Sequence, residues 1–178
     1  MINEKVIIAG FGGQGVMLMG QLLSYAATEK DINTLWFPSY GPETRGGTAN
    51  CSVTISEDLV NSPVISTPDS IIIMNKPSLN KFQPKLKKGG NLFLNSSLVK
   101  DVVVRDDVNV YNIDANEIAK KLGNVKVANM VILGAYLAVT NIFTSEEVLN
   151  ILKQKFTGAK AKLIDINRQA LEAGKNAL

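Results

Sequence analysis

No histidine occurs anywhere in the 178 residues. That absence removes the commonest general acid and base at neutral pH and the commonest metal ligand. There is one cysteine, Cys51, so neither an intramolecular disulfide nor a thiolate metal cage can be built from this chain alone. A self-contained iron–sulfur cluster, which needs about four thiolates, is excluded on the same ground. Charge of one sign is also scarce: 19 basic against 16 acidic residues leave a net charge of +3. So small and scattered an excess gives no basis for nucleic-acid binding. The cluster Lys85, Lys87, Lys88 reads as a solvated turn after a helix. Long apolar runs are missing too. The longest, Ala128 to Phe143, is broken by Asn129, Thr140 and Asn141 and falls short of the roughly 20 residues of a membrane span, so it reads as a buried helix. Met1-Ile2-Asn3-Glu4-Lys5 lacks the basic start and apolar core of a signal peptide, and the expected location is the cytoplasm.

What is present is an ordinary globular composition, 46% hydrophobic and 20% charged. One domain over residues 1–178 is expected, without repeats or linkers. Val6-Ile7-Ile8-Ala9 is a continuous apolar run, the mark of a strand covered on both faces. It ends in Gly10-Phe11-Gly12-Gly13-Gln14-Gly15 and is followed by a helical stripe through Val16, Met19, Leu22, Leu23, Ala26 and Ala27. Thr34 to Phe37 reads as a second strand, so the first forty residues look like a βαβ unit with parallel pairing. Pro38 to Gly47 reads as a ten-residue polar loop. Further strands are expected at Thr48–Ile55, Ser70–Met74, Asn91–Leu94, Val102–Val104 and Val108–Tyr111, the last near an edge, with a short helix at Leu79–Leu86. The C-terminal third is helical. Asp114 with Glu117, and Thr144 with Glu147, have the spacing of capping boxes, Gly123 ends the first of these helices, and a final helix runs from about Leu163 to Ala173.

Gly10, Gly12 and Gly15 match the dinucleotide fingerprint G-x-G-x-x-G in its strand-to-helix setting. Glycines allow a tight turn and close approach to a phosphate, and the helix start attracts negative charge. The same turn can equally pack helix on strand and bind nothing. The acidic residue that would hold a ribose at the end of the second strand is missing. Phe37, Pro38 and Ser39 stand there, and Glu29 and Asp31 come too early. Ser39 and Arg45 could take a ribose 2′-phosphate, which leaves a stand-alone NADP-binding reductase as the alternative. In the long loop, Gly46-Gly47 gives backbone access beside Arg45, a planar cation suited to phosphate or carboxylate. The loop should lie near the glycine turn, at the carboxyl ends of the strands; the bland reading pairs Glu43 with Arg45 in solvent. Cys51, within a strand and without a histidine to activate it, reads as a small core hydrophobe. Met17 and Met19 read as core or interface filler. Asn129, a polar residue in an apolar helix, is either a helix cap or a contact to a partner or ligand, and Gly134-Ala135 allows another element to approach closely.

The glycine turn, the loop Ser39-Tyr40-Gly41-Pro42-Glu43-Thr44-Arg45-Gly46-Gly47-Thr48-Ala49-Asn50-Cys51, and Ala128-Asn129-Met130 together resemble the gamma subunit of 2-oxoacid:ferredoxin oxidoreductases, in the variants acting on 2-oxoglutarate or branched 2-oxoacids. The resemblance covers nearly the whole chain. It implies a Rossmann-like three-layer α/β/α domain with a mixed, largely parallel sheet. It also implies membership of a complex that carries out coenzyme-A-dependent oxidative decarboxylation of a 2-oxoacid to acyl-CoA, carbon dioxide and reduced ferredoxin. Thiamine diphosphate, Mg and iron–sulfur clusters would sit on partner subunits, alpha and beta with a delta, ferredoxin-like one where present, and ferredoxin would accept the electrons. The site residues the resemblance implies are Gly10, Gly12, Gly13, Gln14 and Gly15, Tyr40, Glu43, Thr44, Arg45, Gly46 and Gly47, and Asn129. They would contact coenzyme A or close a wall of the active-site channel; no residue of this chain is expected to be catalytic or to hold a metal. The competing expectation is an adaptor whose two loops bind only protein.

Overall fold

The computed structural model describes residues 1–40, 47–100, 103 and 105–178. They form a six-stranded sheet built from β1 (Asn3–Phe11), β2 (Asn33–Tyr40), β3 (Thr48–Ser56), β4 (Ser70–Ile73), β5 (Asn91–Asn95) and β6 (Asn109–Ile113), in the order β2-β3-β1-β4-β5-β6. Strands β1, β4, β5 and β6 pair in parallel, and β3 is antiparallel to both β1 and β2. The sheet is therefore mixed and largely parallel, and β6 lies at its edge.

One connection differs from the expected βαβ unit. The helix after β1, α1 (Val16–Glu29), does lead to β2, but β2 does not neighbour β1, because β3 lies between them. The physical reason is visible in β2 itself. Pro38, in register with Cys51, lacks a backbone N–H and suits an edge, whereas a strand beside β1 must bond on both sides. Strand β2 runs on to Tyr40, so Pro38, Ser39 and Tyr40 belong to a strand and not to the loop. The Val102–Val104 expectation falls largely outside the described residues, since 102 and 104 are not among them; Val103 has no regular structure.

The two faces of the sheet are covered unequally. Val6 and Ile8 of β1, with Cys51, Val53 and Ile55 of β3 and Ile72 of β4, face a thick helical layer. That layer contains α1 and four later helices, α3 (Ala115–Lys121), α4 (Ala128–Thr140), α5 (Ser145–Lys155) and α6 (Ile164–Lys175). Ile7, Ala9, Ile71 and Ile73 face the opposite side, where the short helix α2 (Lys76–Phe82) packs through Leu79 and Phe82. Helix α2 starts at the Asn75 cap, whose side chain accepts from the Ser78 amide at 2.9 Å, and Pro84 falls in a 3-10 turn that follows it. The Thr144–Glu147 capping box forms in full at the start of α5. The Asp114 box does not. Asp114 instead accepts from the Ser96 and Ser97 hydroxyls at 3.0 and 3.4 Å, and the Ser97 oxygen takes the Glu117 amide at 3.2 Å. A hydroxyl from the end of β5 thus does the capping that the acidic side chain was expected to do. Gly123, at φ +95°, closes that helix as expected.

Helix α4 is buried from Ala128 through Leu137 and is the centre of the helical layer. Its close neighbour is α6: a Cβ on Gly134 would collide with the Leu171 carbonyl, and one on Gly174 with the Val131 carbonyl. The close approach expected at Gly134 is therefore made, backbone against backbone. Tyr136, wholly buried, packs edge-on against Phe93 with ring centroids 5.5 Å apart, and its hydroxyl lies 3.3 Å from a Glu4 carboxylate oxygen at the start of β1. Burial pushes the Glu4 carboxyl above its usual range, and nearby Asp69 adds to this. The hydroxyls of Ser70 and Tyr136 and the ammonium of Lys87 pull the other way. Among the described residues no helix is long and apolar enough to cross a membrane.

Two outcomes follow. Gly174→Ala forces α6 off α4; such overpacking costs about 1–3 kcal/mol, and a thermal melt should show Tm lower by roughly 4–10 °C. An unchanged Tm would mean that the two backbones separate freely. For Glu4, a folded pKa above the unfolded one means that the group's contribution is largest below the unfolded value, about 4.3, and is lost as pH rises through the folded value. Glu4→Gln should therefore raise Tm at pH near 7, and this advantage should shrink as pH falls towards about 4. A variant less stable than the parent at both pH values would contradict the assignment.

Candidate functional site

Strand β1 pairs with β4 only as far as Ala9, opposite Ile73. Beyond that point β1 bends into the glycine turn and α1, while β4 leads into α2, so a crevice opens at the carboxyl ends of these two parallel strands. Chain reversal at such a place is where open α/β sheets bind ligands. The turn is built from backbone bonds: Gln14 N–H donates to the Phe11 carbonyl at 3.2 Å, and Gly15, at φ 74° and ψ 22°, is the residue before α1. No side chain caps α1, and its first turn holds no acidic residue. Its first amides, which lack partners within the helix, carry the positive end of the helix dipole.

The glycines of the fingerprint divide into two pairs. A Cβ on Gly10 would lie 2.6 Å from the Gln14 side-chain oxygen and 2.8 Å from Met74 Cβ. A Cβ on Gly15 would collide with the Asn129 side chain. Gly10 and Gly15 thus leave room for the protein's own amide side chains. Among the described residues, Gly12 and Gly13 face open space: Gly13, at φ +89°, has nothing within 4 Å of its Cβ position, and Gly12 only the Gly47 carbonyl at 3.9 Å.

The Gln14 amide is engaged on both sides. Its Oε1 accepts from the Phe11 amide at 2.6 Å and its Nε2 donates to the Met74 carbonyl at 3.3 Å. Asn129 is not the cap of α4, which starts after Val127 without a side-chain cap, and the contacts it makes are within this chain. Its Oδ1 accepts from the Met130 amide at 2.9 Å in the first turn of α4, and its Nδ2 makes a long 3.5 Å contact with the Gly15 carbonyl.

The end of the long loop at Gly47 meets this turn: Gly12 N–H donates to the Gly47 carbonyl at 3.0 Å, and β3 starts with Thr48 opposite Phe11. Tyr40, the last residue of β2, is opposite Ala49 and 71% exposed, with β3 between it and β1. Glu43, Thr44, Arg45 and Gly46, with Gly41 and Pro42, lie outside the described residues. Cys51 is buried in β3 with its thiol 3.5 Å from the Val16 carbonyl, and burial pushes that thiol up to about 12. It is a core residue and no nucleophile.

Two asparagines at the same edge were not singled out in the sequence. Asn75 and Asn95 close β4 and β5, both buried, and Asn75 Nδ2 and Asn95 Oδ1 have no hydrogen-bond partner among the described residues. The signal available was an asparagine directly after an apolar run, in Ile71-Ile72-Ile73-Met74-Asn75 and in Leu92-Phe93-Leu94-Asn95. A groove of about 740 Å³ lies elsewhere, where the end of α4 meets α5 and α6. Leu137 there is roughly 12 Å along α4 from Asn129. Four of the groove's lining charges are paired, Lys30 with Glu147 at 2.8 Å and Arg168 with Glu146 at 2.5 Å. No cluster of three or more acidic, cysteine or histidine side chains suited to a metal occurs among the described residues.

Residues 5–177 match the model of the family described as pyruvate ferredoxin/flavodoxin oxidoreductase. Ketoisovalerate oxidoreductase subunit VorA of Methanothermobacter marburgensis is 41% identical over 171 residues, which cover 96% of this chain and 35% of that protein. The chain thus spans about a third of the length of this relative. 2-Oxoglutarate synthase subunit KorC of the same organism is 31% identical over 185 residues, covering 99% of this chain and 97% of its own. Among solved structures, the gamma subunit of the keto/oxoacid ferredoxin oxidoreductase of Geobacter sulfurreducens superposes with a TM-score of 0.83 at 27% identity, over 98% of this chain and 97% of that one. On this agreement of sequence and architecture, the chain belongs to the pyruvate ferredoxin/flavodoxin oxidoreductase family.

Proposed function

We propose that this chain, a single domain, works in the cytoplasm as the gamma-type subunit of a multi-subunit 2-oxoacid:ferredoxin oxidoreductase. The reaction is the coenzyme-A-dependent oxidative decarboxylation of 2-oxoglutarate or a branched-chain 2-oxoacid to acyl-CoA, carbon dioxide and reduced ferredoxin. Support comes from the family, from relatives named as subunits, and from what the chain lacks. It has no Gly-Asp-Gly stretch of the kind that holds thiamine diphosphate through a metal ion, and its one cysteine, buried, cannot supply the thiolates of an iron–sulfur cluster. Those groups belong to alpha and beta partners and, where present, a delta subunit, with ferredoxin as the acceptor.

The observation that carries a role for this chain is the open Gly12–Gly13 segment, beside the uncapped start of α1 and free of acidic neighbours in the first turn. It suits the diphosphate of coenzyme A, whose thiol takes up the acyl group in the complex. The residues of this chain then bind and orient. Gly13 and the first amides of α1 receive the anionic diphosphate, while Gly12, its own N–H bonded to the Gly47 carbonyl, leaves the space beside them clear. Gly47, tied to Gly12, brings the loop alongside, so that Arg45 and Gly46 steer the pantetheine arm, with Tyr40, Glu43 and Thr44 completing the wall.

The alternative of a stand-alone NADP-binding reductase is disfavoured by topology. A dinucleotide spans from the turn after the first strand to the end of an adjacent second strand. Here β3 intervenes, and Ser39 on β2 stands two strand spacings, about 10 Å, from β1.

Gly12 tolerates a side chain sterically, so Gly12→Asp places a negative charge at the turn without a clash. In the assembled complex it should raise the Michaelis constant for coenzyme A about tenfold or more and leave that for the 2-oxoacid unchanged. Arg45→Ala should act in the same direction. An intact complex with an unchanged constant for coenzyme A in both variants would sink the reading; loss of assembly instead would assign the two loops to protein contacts.

A further inference from the structure

We infer that Gln14 is a positioning residue that touches no ligand and holds the Gly12–Gly13 segment in its receptive shape, with Asn129 bracing the other end. The inference rests on the reading of that segment as the anion site. The parallel ladder of β1 and β4 stops one bond past Ala9, where the Met74 amide donates to the Ala9 carbonyl at 2.8 Å. The strands then part towards α1 and α2. The Gln14 amide spans the opening, taking the Phe11 N–H of one strand end and giving to the Met74 carbonyl of the other. It acts as one further rung between strands whose backbones have already separated. Gly10 has no side chain because that rung occupies the space: its Cβ position is 2.6 Å from Gln14 Oε1.

At the other end, the Gly15 carbonyl meets Asn129, which is 5% exposed and anchored in the first turn of α4. The segment Gly12–Gly13 is therefore the span between two points held by side chains, Phe11 and Gly15, with Gly12 also tied through its N–H to the Gly47 carbonyl. Its conformation, with Gly13 at φ +89°, is imposed from both sides before any ligand arrives. Such preorganisation shows itself in affinity, because the ordering cost falls on binding when the pin is absent.

The test uses the assembled complex. Gln14→Met keeps the length of the side chain and removes both hydrogen bonds. It should raise the Michaelis constant for coenzyme A about five- to tenfold with kcat at saturating coenzyme A unchanged, and it should speed hydrogen exchange in the peptide containing Phe11. Gln14→Glu supplies a reading that a merely structural role would not move. Its protonated carboxyl mimics the amide, accepting from Phe11 and donating to Met74, whereas the carboxylate repels the Met74 carbonyl. The Gln14→Glu defect in affinity for coenzyme A, relative to the parent at each pH, should therefore shrink as pH falls from about 7 into the titration range of a glutamate carboxyl, about 4 to 5.

Faster exchange with an unchanged constant for coenzyme A in Gln14→Met, while Gly12→Asp still raises it, overturns the inference and leaves the site reading standing. Unchanged exchange overturns it as well. If Gly12→Asp also has no effect on coenzyme A, the site reading falls and takes this inference with it. Should Gln14→Met fail to assemble, the pH dependence of Gln14→Glu decides alone, and a pH-independent defect counts against the proposal.

Discussion

Strand β1 is bonded on both sides and covered on both faces, and the rest of the molecule is arranged around that double demand. Val6 and Ile8 belong to the helical side of the core, and Ile7 and Ala9 to the other. Full burial of side chains of this size is worth about 1.5–3 kcal/mol for each large one, so the strand has no freedom to slip by a residue without exchanging its two faces. Its partners differ in kind. Antiparallel β3 follows it to Phe11, but parallel β4 leaves it at Ala9. The last two residues of β1 are therefore held from one side only. The glycine turn sits where the sheet's support becomes asymmetric, and side chains must supply the missing half.

Helix α4 links that edge to the opposite one. Its first turn brings Asn129 to Gly15, and two turns later Tyr136 reaches Glu4 at the start of β1. One helix thus touches the start of β1 and the turn that follows its end. Its depth is set by the backbone contact with α6 at Gly134 and Gly174, which leaves no slack for a side chain. A displacement of α6 is transmitted along α4 to the glycine turn, because close-packed interiors pass on strain rather than absorb it.

Much of this was legible in the sequence. The apolar run of β1, the stripe of α1, the Thr144–Glu147 box and the glycine closing α3 are local signals, and each formed where its residues demanded. The position of β3 was not read, because adjacency in sequence suggested pairing of β1 with β2. Pro38 carried the missing information, since it suits only a strand with an open side. Asp114 failed as a cap because two serines at the end of β5 compete for its carboxylate, a tertiary contact that local spacing cannot reveal. The site was legible as a motif but not as a division of labour. Gly10 and Gly15 have the same identity in the sequence as Gly12 and Gly13, and only the neighbours of their absent Cβ atoms separate the pair filled by Gln14 and Asn129 from the pair left open.

That division explains how a dinucleotide fingerprint can exist without a dinucleotide. In the nucleotide-binding arrangement, the glycines admit phosphate to a turn whose neighbouring strand carries the ribose contact. Here β3 stands in that place. Its side chains on the helical side, Cys51, Val53 and Ile55, are apolar, and the thiol among them is held protonated by burial. A ligand at the turn can find phosphate-binding amides but no adjacent strand end with a sugar-binding carboxylate. The arrangement is that of the proposed coenzyme A site, where an anionic group is gripped by backbone and the rest of the ligand extends past the sheet edge. In that reading the work of Gly13, Gln14 and Asn129 is positional, because each acts by fixing or freeing the backbone of one short turn.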